Sequence, residues 1–242
     1  MYKKENILAI IPARGGSKSV PKKNIHSLLG KPLIYYAIKE AKRSKYIDRL
    51  ICSTDSKEIA AVAKKYGCEV PFLRPSRFSR DTSQDIEWYR HALVWLKNKE
   101  NYAPDLVVNL RPTAPLRTAK QIDQAIKIVI DYNADGLKTV AQSDKHPHKM
   151  WRIKKGVFLE PYLKTSFRLK YGPDVPRQKL EPIYWQNAVI DITRPKFILQ
   201  ENRVFGNKLV TMIMSLEDSV DLDSILDFKI TTQIMRERRK KP

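Results

Sequence analysis

Cysteine is nearly missing from this chain: Cys52 and Cys68 are the only two among 242 residues. Two thiols cannot build a disulfide framework, which excludes a small disulfide-stapled secreted fold and leads us to expect a reducing, cytoplasmic setting. Long apolar runs are missing as well. No window approaches the roughly 18 apolar residues of a membrane-spanning helix, and the first apolar run, Ile7 to Ile11, is too short for a secretory signal and ends at Pro12. No membrane association is therefore expected. Acidic residues are scarce, with 26 Asp and Glu against 46 Lys and Arg, a formal charge of +20. That imbalance leaves open nucleic acid, an acidic membrane surface or small anionic substrates as partners. Several signatures are also absent. The chain has neither the P-loop GxxxxGK[ST] nor the dinucleotide GxGxxG, so kinase and dehydrogenase readings lose their main support. No RNP-type aromatic motif, zinc-finger spacing or helix-turn-helix pattern supports a nucleic-acid partner. No internal repeat is present, and the one biased segment is the basic tail from Arg236 to Lys241.

What is present is a core. Hydrophobic residues make up 42% of the chain, enough for one large domain over residues 1–242. Ile7 to Ile11 reads as a strand buried on both faces. Pro32 can open a helix with Leu33, Ile34, Ala37, Ile38 and Ala41 on one face. Leu50 to Ser53 is a second strand, and Ile59, Ala60, Ala63 and Tyr66 mark a helix stopped at Gly67. Val70 to Leu73 reads as a strand. Thr82 and Asp85 have capping-box spacing ahead of a helix carrying Trp88, Leu93 and Trp95. Leu106 to Leu110 is a central strand, and Thr118 with Gln121 caps a helix bearing Ile122, Ala125, Ile126, Val129 and Ile130. From about Lys145 to residue 205 the rhythm breaks into short pieces, as an inserted arm would. Val210 to Met214 then gives a strand, and a helix follows from about Ser224. The alternation predicts an α/β fold with a doubly wound, mostly parallel sheet.

In such a sheet ligands gather beyond the carboxyl ends of the strands. The loop after the first strand runs Arg14-Gly15-Gly16-Ser17-Lys18-Ser19-Val20-Pro21-Lys22-Lys23-Asn24. Adjacent glycines let backbone N–H groups approach an anion, and the Arg and Lys side chains neutralise it. The competing reading is a solvated basic turn; the position after a buried strand argues against it.

The stretch from Ile11 to Asn24 resembles the opening signature of the acylneuraminate (CMP-sialic acid synthetase) cytidylyltransferase family. Three further blocks match in order: Ser53-Thr54-Asp55 with Glu58-Ile59-Ala60; Arg111-Pro112-Thr113-Ala114-Pro115-Leu116-Arg117, similar to PTSPLR; and Ser219-Val220-Asp221-Leu222-Asp223, similar to a late DxD. The resemblance implies a Rossmann-like nucleotidyltransferase fold. It also implies an enzyme that joins CTP to a carboxylated nine-carbon 2-keto sugar acid, giving a CMP-sugar and pyrophosphate. By that likeness Arg14, Lys18 and Lys23 hold the triphosphate and offset charge on the leaving group. Ser17 and the amides of Ala13, Gly15 and Gly16 add hydrogen bonds, and Asn24 and Arg74 match positions at the cytidine end. Positioning and charge stabilisation dominate such transfers.

Asp221 and Asp223, spaced i and i+2, can face one side of an extended segment. As hard oxygen ligands they suit Mg²⁺; the alternative is that Asp223 merely caps the following helix. The resemblance assigns the acceptor carboxylate to Arg177, with Gln178 and Lys149 assisting, since a guanidinium pairs with a carboxylate bidentately. Arg111 replaces the family's usual Gln. The block Asn187-Ala188-Val189-Ile190-Asp191 replaces Asn-Gly-Ala-Ile-Tyr. With Asn187, Asp191 and Arg111 placed at the sugar, these departures point away from N-acetylneuraminate. They favour a legionaminic-type, pseudaminic-type or Kdo-like acid. Residues 145–205 fit the family's acceptor-binding and dimerisation arm, burying Trp151, Phe158, Tyr184 or Trp185 in a homodimer. The rival readings are a sugar-1-phosphate nucleotidyltransferase on the same fold and a basic nucleic-acid-binding protein.

Overall fold

The structure is a computed structural model that describes residues 5–168 and 172–240; Lys241 of the basic tail lies outside them. Its architecture follows from the first strand, β1 (Ile7–Pro12), which is buried on both faces. A short hairpin, β2 (Ser27–Leu28) and β3 (Lys31–Pro32), leads into α1 (Leu33–Arg43), then β4 (Arg49–Ser53), α2 (Lys57–Lys65), α3 (Asp85–Glu100), β5 (Leu106–Asn109) and α4 (Ala119–Asp131). Ile7, Ala9 and Ile11 of β1 pack with Ile34, Ala37 and Ile38 of α1 and Ile122, Ala125 and Ile126 of α4. The intervening Leu8 and Ile10 pack with Trp88, Tyr89, Leu93 and Leu96 of α3. One strand thus feeds two hydrophobic layers, and the sheet is doubly wound as expected. Each such fully buried Leu or Ile contributes about 1.5–3 kcal/mol.

The second half adds β6 (Gly136–Gln142), a hairpin of β7 (Trp151–Lys154) and β8 (Phe158–Pro161), β9 (Tyr184–Thr193), α5 (Pro195–Gln200), β10 (Leu209–Met214) and α6 (Ile225–Lys240). The central sheet has the order β10-β6-β9-β5-β1-β4. Neighbours are parallel except β9, which runs antiparallel to both β5 and β6. The chain leaves the sheet at the end of β6, makes its excursion, and returns down β9 beside the strand it left. The stretch 145–205 is accordingly narrower as an excursion than its sequence suggests. Residues 143–183 lie between sheet strands, whereas β9 and α5 belong to the main body, Ile198 of α5 packing against the α3 layer.

Two local expectations are corrected. Val70 to Leu73 forms no continuous strand; only Leu73 bridges the sheet edge, to Thr54, while Glu69 just before the segment bridges Ile51. The start of α3 is capped two residues later than Thr82 and Asp85, with the Gln84 N–H donating to Glu87 Oε2 at 3.0 Å. Asp85 is thereby freed for another task. The Thr118–Gln121 box forms as expected, with Thr118 N–H donating to Gln121 Oε1 at 2.9 Å and Gln121 N–H to Thr118 Oγ1 at 3.3 Å. Gly67 closes α2 at φ 81°, a left-handed conformation costly for an L-residue. Both cysteines are free and buried, and burial pushes the Cys52 thiol up to about 12, which keeps it inert.

Candidate active site

The loop after β1 is shaped by its neighbours rather than by its own basic side chains. Gly15 N–H donates to Asp55 Oδ1 at 2.8 Å, and Asn24 Nδ2 donates to the Arg14 carbonyl at 2.9 Å. A Cβ on Gly15 would lie 3.1 Å from the Ser56 Cβ, so glycine suits this close approach to the loop after β4; Gly16 meets no such neighbour. Ala13 is fully buried and its N–H donates to the Ser53 carbonyl. The residues around the two glycines therefore hang from β1 and β4, while Arg14, Ser17, Lys18, Lys23 and Asn24 line a cleft of about 520 Å³. Arg74 lines the same cleft. It is 5% exposed, its Nε has no hydrogen-bond partner, and burial lowers its pKa against the pull of Asp55. A buried guanidinium of that kind is a donor already in place for a ligand acceptor.

Carboxylates meet most of these cations. Asp81, on the loop before α3, receives Arg14 Nη1 and Lys18 Nζ at 2.6 Å each, and the two hydrogen bonds hold its own carboxyl below the ordinary range. Lys23 Nζ lies 2.8 Å from Asp223 Oδ1. Asp85 pairs with Arg111 and also accepts from Trp88 Nε1 at 3.0 Å. Asp81 and Asp85 had no site role in the sequence reading; the signal available was their position ahead of a helix that follows a cation-rich half of the chain.

Opposite the basic loop stand Asp221 and Asp223, both lining the cleft with Thr113. Leu222 N–H donates to the Thr113 carbonyl at 2.9 Å, pinning the acidic segment to the loop after β5. Burial raises the Asp221 carboxyl above its ordinary 3.8, opposed by a hydrogen bond from Thr113. Asp223 does not cap α6: Asp227 Oδ2 accepts from the Asp223 and Ser224 N–H groups at 3.0 and 2.6 Å and from Ser224 Oγ at 2.8 Å. The helix end is satisfied without it, and the Asp223 side chain is free to face the cleft, 74% exposed. Among the described residues no cluster of three or more His, Cys, Asp or Glu could hold a metal unaided. Two carboxylates on one wall suit Mg²⁺ that takes its remaining oxygens from substrate phosphates and water.

Other expected residues lie elsewhere. Arg177 and Gln178 line a separate cavity of about 440 Å³ with His146 and Glu181. Arg177 Nη2 donates to the Ser143 carbonyl at 3.3 Å, and Lys149 Nζ to the Pro173 carbonyl at 3.3 Å. All three belong to the excursion beyond β6, which the single chain does not fold over the main cleft. Asn187 is buried and spent internally: it accepts from Thr139 Oγ1 at 2.6 Å and donates to Ser219 Oγ at 2.8 Å. Asp191 is also buried, facing Asn109 across β5 and Lys138 across β6. Neither lines the cleft. Ala188, which stands where the family has the glycine of that block, does.

An α/β sheet with a cation-bearing loop after its first strand and paired carboxylates facing that loop defines a nucleotidyltransferase. Residues 8–218 match the cytidylyltransferase family, and the chain belongs to it. It is 43% identical over 222 residues to a pseudaminic acid cytidylyltransferase of Campylobacter jejuni, covering 92% of this chain and 93% of that one. It is 32% identical over 233 residues to the CMP-N,N'-diacetyllegionaminic acid synthase of Legionella pneumophila, covering 95% and 96%. Its fold is shared with a CMP:2-keto-3-deoxy-manno-octonic acid synthetase solved in complex with CTP, at a TM-score of 0.65, 12% identity, and coverage of 96% and 99%.

Proposed function

We propose that this enzyme transfers the cytidylyl group of CTP to the anomeric 2-hydroxyl of a nine-carbon 2-keto sugar acid of the legionaminic or pseudaminic type. The new bond joins the sugar oxygen to the α-phosphorus; the bond to the β-phosphate oxygen breaks, and pyrophosphate leaves as the hydroxyl gives up its proton. The observation that carries this reading is the facing of two charge sets in one cleft: Arg14, Lys18, Lys23 and Arg74 against Asp221 and Asp223. The cations would receive the triphosphate and stabilise charge on the departing pyrophosphate. Mg²⁺, when bound at Asp221 and Asp223, would supply charge neutralisation between phosphate and incoming hydroxyl. The relatives named for such acids, together with the neutralised Arg111, support an acceptor other than N-acetylneuraminate.

The acceptor carboxylate falls to Lys149, Arg177 and Gln178 only if the excursion closes over a cleft. A homodimer supplies that closure. Trp151, Phe158, Tyr184 and Trp185 stay well exposed in the single chain, and Ile153, Val157 and Leu159 of the β7–β8 hairpin are more than 60% exposed. Apolar surface this dense supports the homodimer reading. No described helix is long and apolar enough to cross a membrane, and the absence of disulfides supports a cytoplasmic setting.

Pyrophosphate release with CTP, Mg²⁺ and a panel of such acids tests the reading. Arg14→Ala should raise the KM for CTP about tenfold or more, the size of a lost charge-assisted contact. Preference for N-acetylneuraminate, or indifference to Arg14→Ala, would reject it.

A further inference from the structure

Among the described residues, Ala188 is the one non-glycine residue with positive φ (52°) inside a strand; the others sit in turns, bends or helix ends. It lies at an irregularity of β9, where the register against β6 shifts between Lys138 and Val140. An L-residue in this conformation is strained, and such strain persists only where the surroundings over-determine it. They do so here. Thr139 Oγ1 donates to Asn187 Oδ1 at 2.6 Å and accepts from the Ile190 N–H at 3.0 Å. Val189 N–H donates to Asn187 Oδ1 at 3.3 Å, and Arg117 Nη1, itself buried, donates to the Val189 carbonyl at 2.5 Å. Four buried hydrogen bonds hold the bulge, and the residue it turns toward the cleft is Ala188. Bulges that re-aim one side chain gather beside active sites.

The place of that side chain separates it from the nucleotide machinery. The phosphate loop and Arg74 come from the β1 and β4 side, whereas β9 lies on the far side of β5. Arg111, at the end of β5, lines the same stretch. Its guanidinium pairs with Asp85, and Asp85 and Asp191 keep it charged against the cost of burial. Because Asp85 already occupies the Arg111 guanidinium, this wall is poorly suited to a carboxylate. It offers a directed donor beside a methyl group.

We propose that Ala188 is a specificity-determining residue. Its methyl, fixed by the bulge beside Arg111, limits the size of an uncharged substituent, a hydroxyl or an acylamido group, that the acceptor sugar can place against this wall. The inference rests on the reading that CTP and the sugar acid share this cleft. The test is Ala188→Gly, which keeps the bulge because glycine favours positive φ. Steady-state kinetics would be taken with CTP, Mg²⁺ and two nonulosonic acids that differ only in the bulk of one acylamido group. The ratio of kcat/KM should move at least fivefold toward the bulkier acid, with the KM for CTP within twofold of wild type and no loss of thermal stability. A ratio within twofold of wild type, or a change confined to the KM for CTP, overturns the proposal while leaving the cytidylyltransferase reading intact. Failure of the wild type to turn over either acid with CTP overturns both.

Discussion

Asp221 and Asp223 are two residues apart and both reach solvent at the cleft, Asp223 against Lys23 and Asp221 beside Thr113. Asp221, whose carboxyl loses hydration against the cleft wall, sets a pH dependence. Its folded-state pKa lies above its ordinary 3.8, so its contribution to stability is fully present below 3.8 and is lost as pH rises through the raised value. Asp221→Asn should melt no lower than wild type at pH 7, while activity falls by about 10²-fold or more if the proposed Mg²⁺ role holds. A thermal melt beside a rate measurement reads both. Asp81 makes a different prediction. It pairs with Arg14 and Lys18, the cations proposed to receive the triphosphate, and so competes with it for them. Asp81→Asn should lower the KM for CTP by roughly two- to fivefold, the scale of exposed ion pairs, and a raised KM would show that Asp81 assists binding. The basic loop was legible from its place after a buried strand, and the acidic pair from its resemblance to the family's late DxD. Asp81 and Asp85 were not, since each acts through a partner distant in the chain that only folding supplies; at Ala188 the replaced glycine was legible but the bulge that aims it was not.

At the scale of elements, periodicity identified the strands buried on both faces and the helices with one apolar stripe. It missed β6 and β9. β6 alternates Lys138 and Thr139 among apolar residues, and β9 begins with three exposed residues and breaks its pattern at the bulge. A strand that changes from exposed edge to buried centre has no single period to read. The Thr118 cap, by contrast, was legible and has reach beyond its helix, for Gln121 Nε2 donates to Asp218 Oδ2 at 2.9 Å near the acidic segment. Thr118→Ala should cost about 1 kcal/mol. In a chain of this length that lowers the melting temperature by roughly 2–4 °C, and calorimetry would show it. A shift beyond that range would mean the cap also supports the segment carrying Asp221.

For the whole molecule, the net charge of +20 is not gathered into the site. Within the cleft, carboxylates of Asp81, Asp85 and Asp223 offset the cations that face them, and Lys22 beside it pairs with Glu58 at 2.8 Å. The excess therefore signalled an anionic partner without locating it; the strand ends did that. Assembly is the second property at this scale. Ile153→Asp together with Phe158→Asp on the exposed hairpin should convert a dimer to a monomer in sedimentation and depress turnover of the sugar acid more than binding of CTP. A wild type that is monomeric at micromolar concentration would remove the dimer from the account. Product analysis by mass reads out the proposed transfer of CMP to a nonulosonic acid by the facing charge sets. Wild-type enzyme with CTP, Mg²⁺ and a legionaminic- or pseudaminic-type acid should yield one CMP-sugar and one pyrophosphate per turnover, with Asp223→Ala forming neither at a comparable rate. No CMP-sugar from any acid of that class, or full activity in Asp223→Ala, would contradict it.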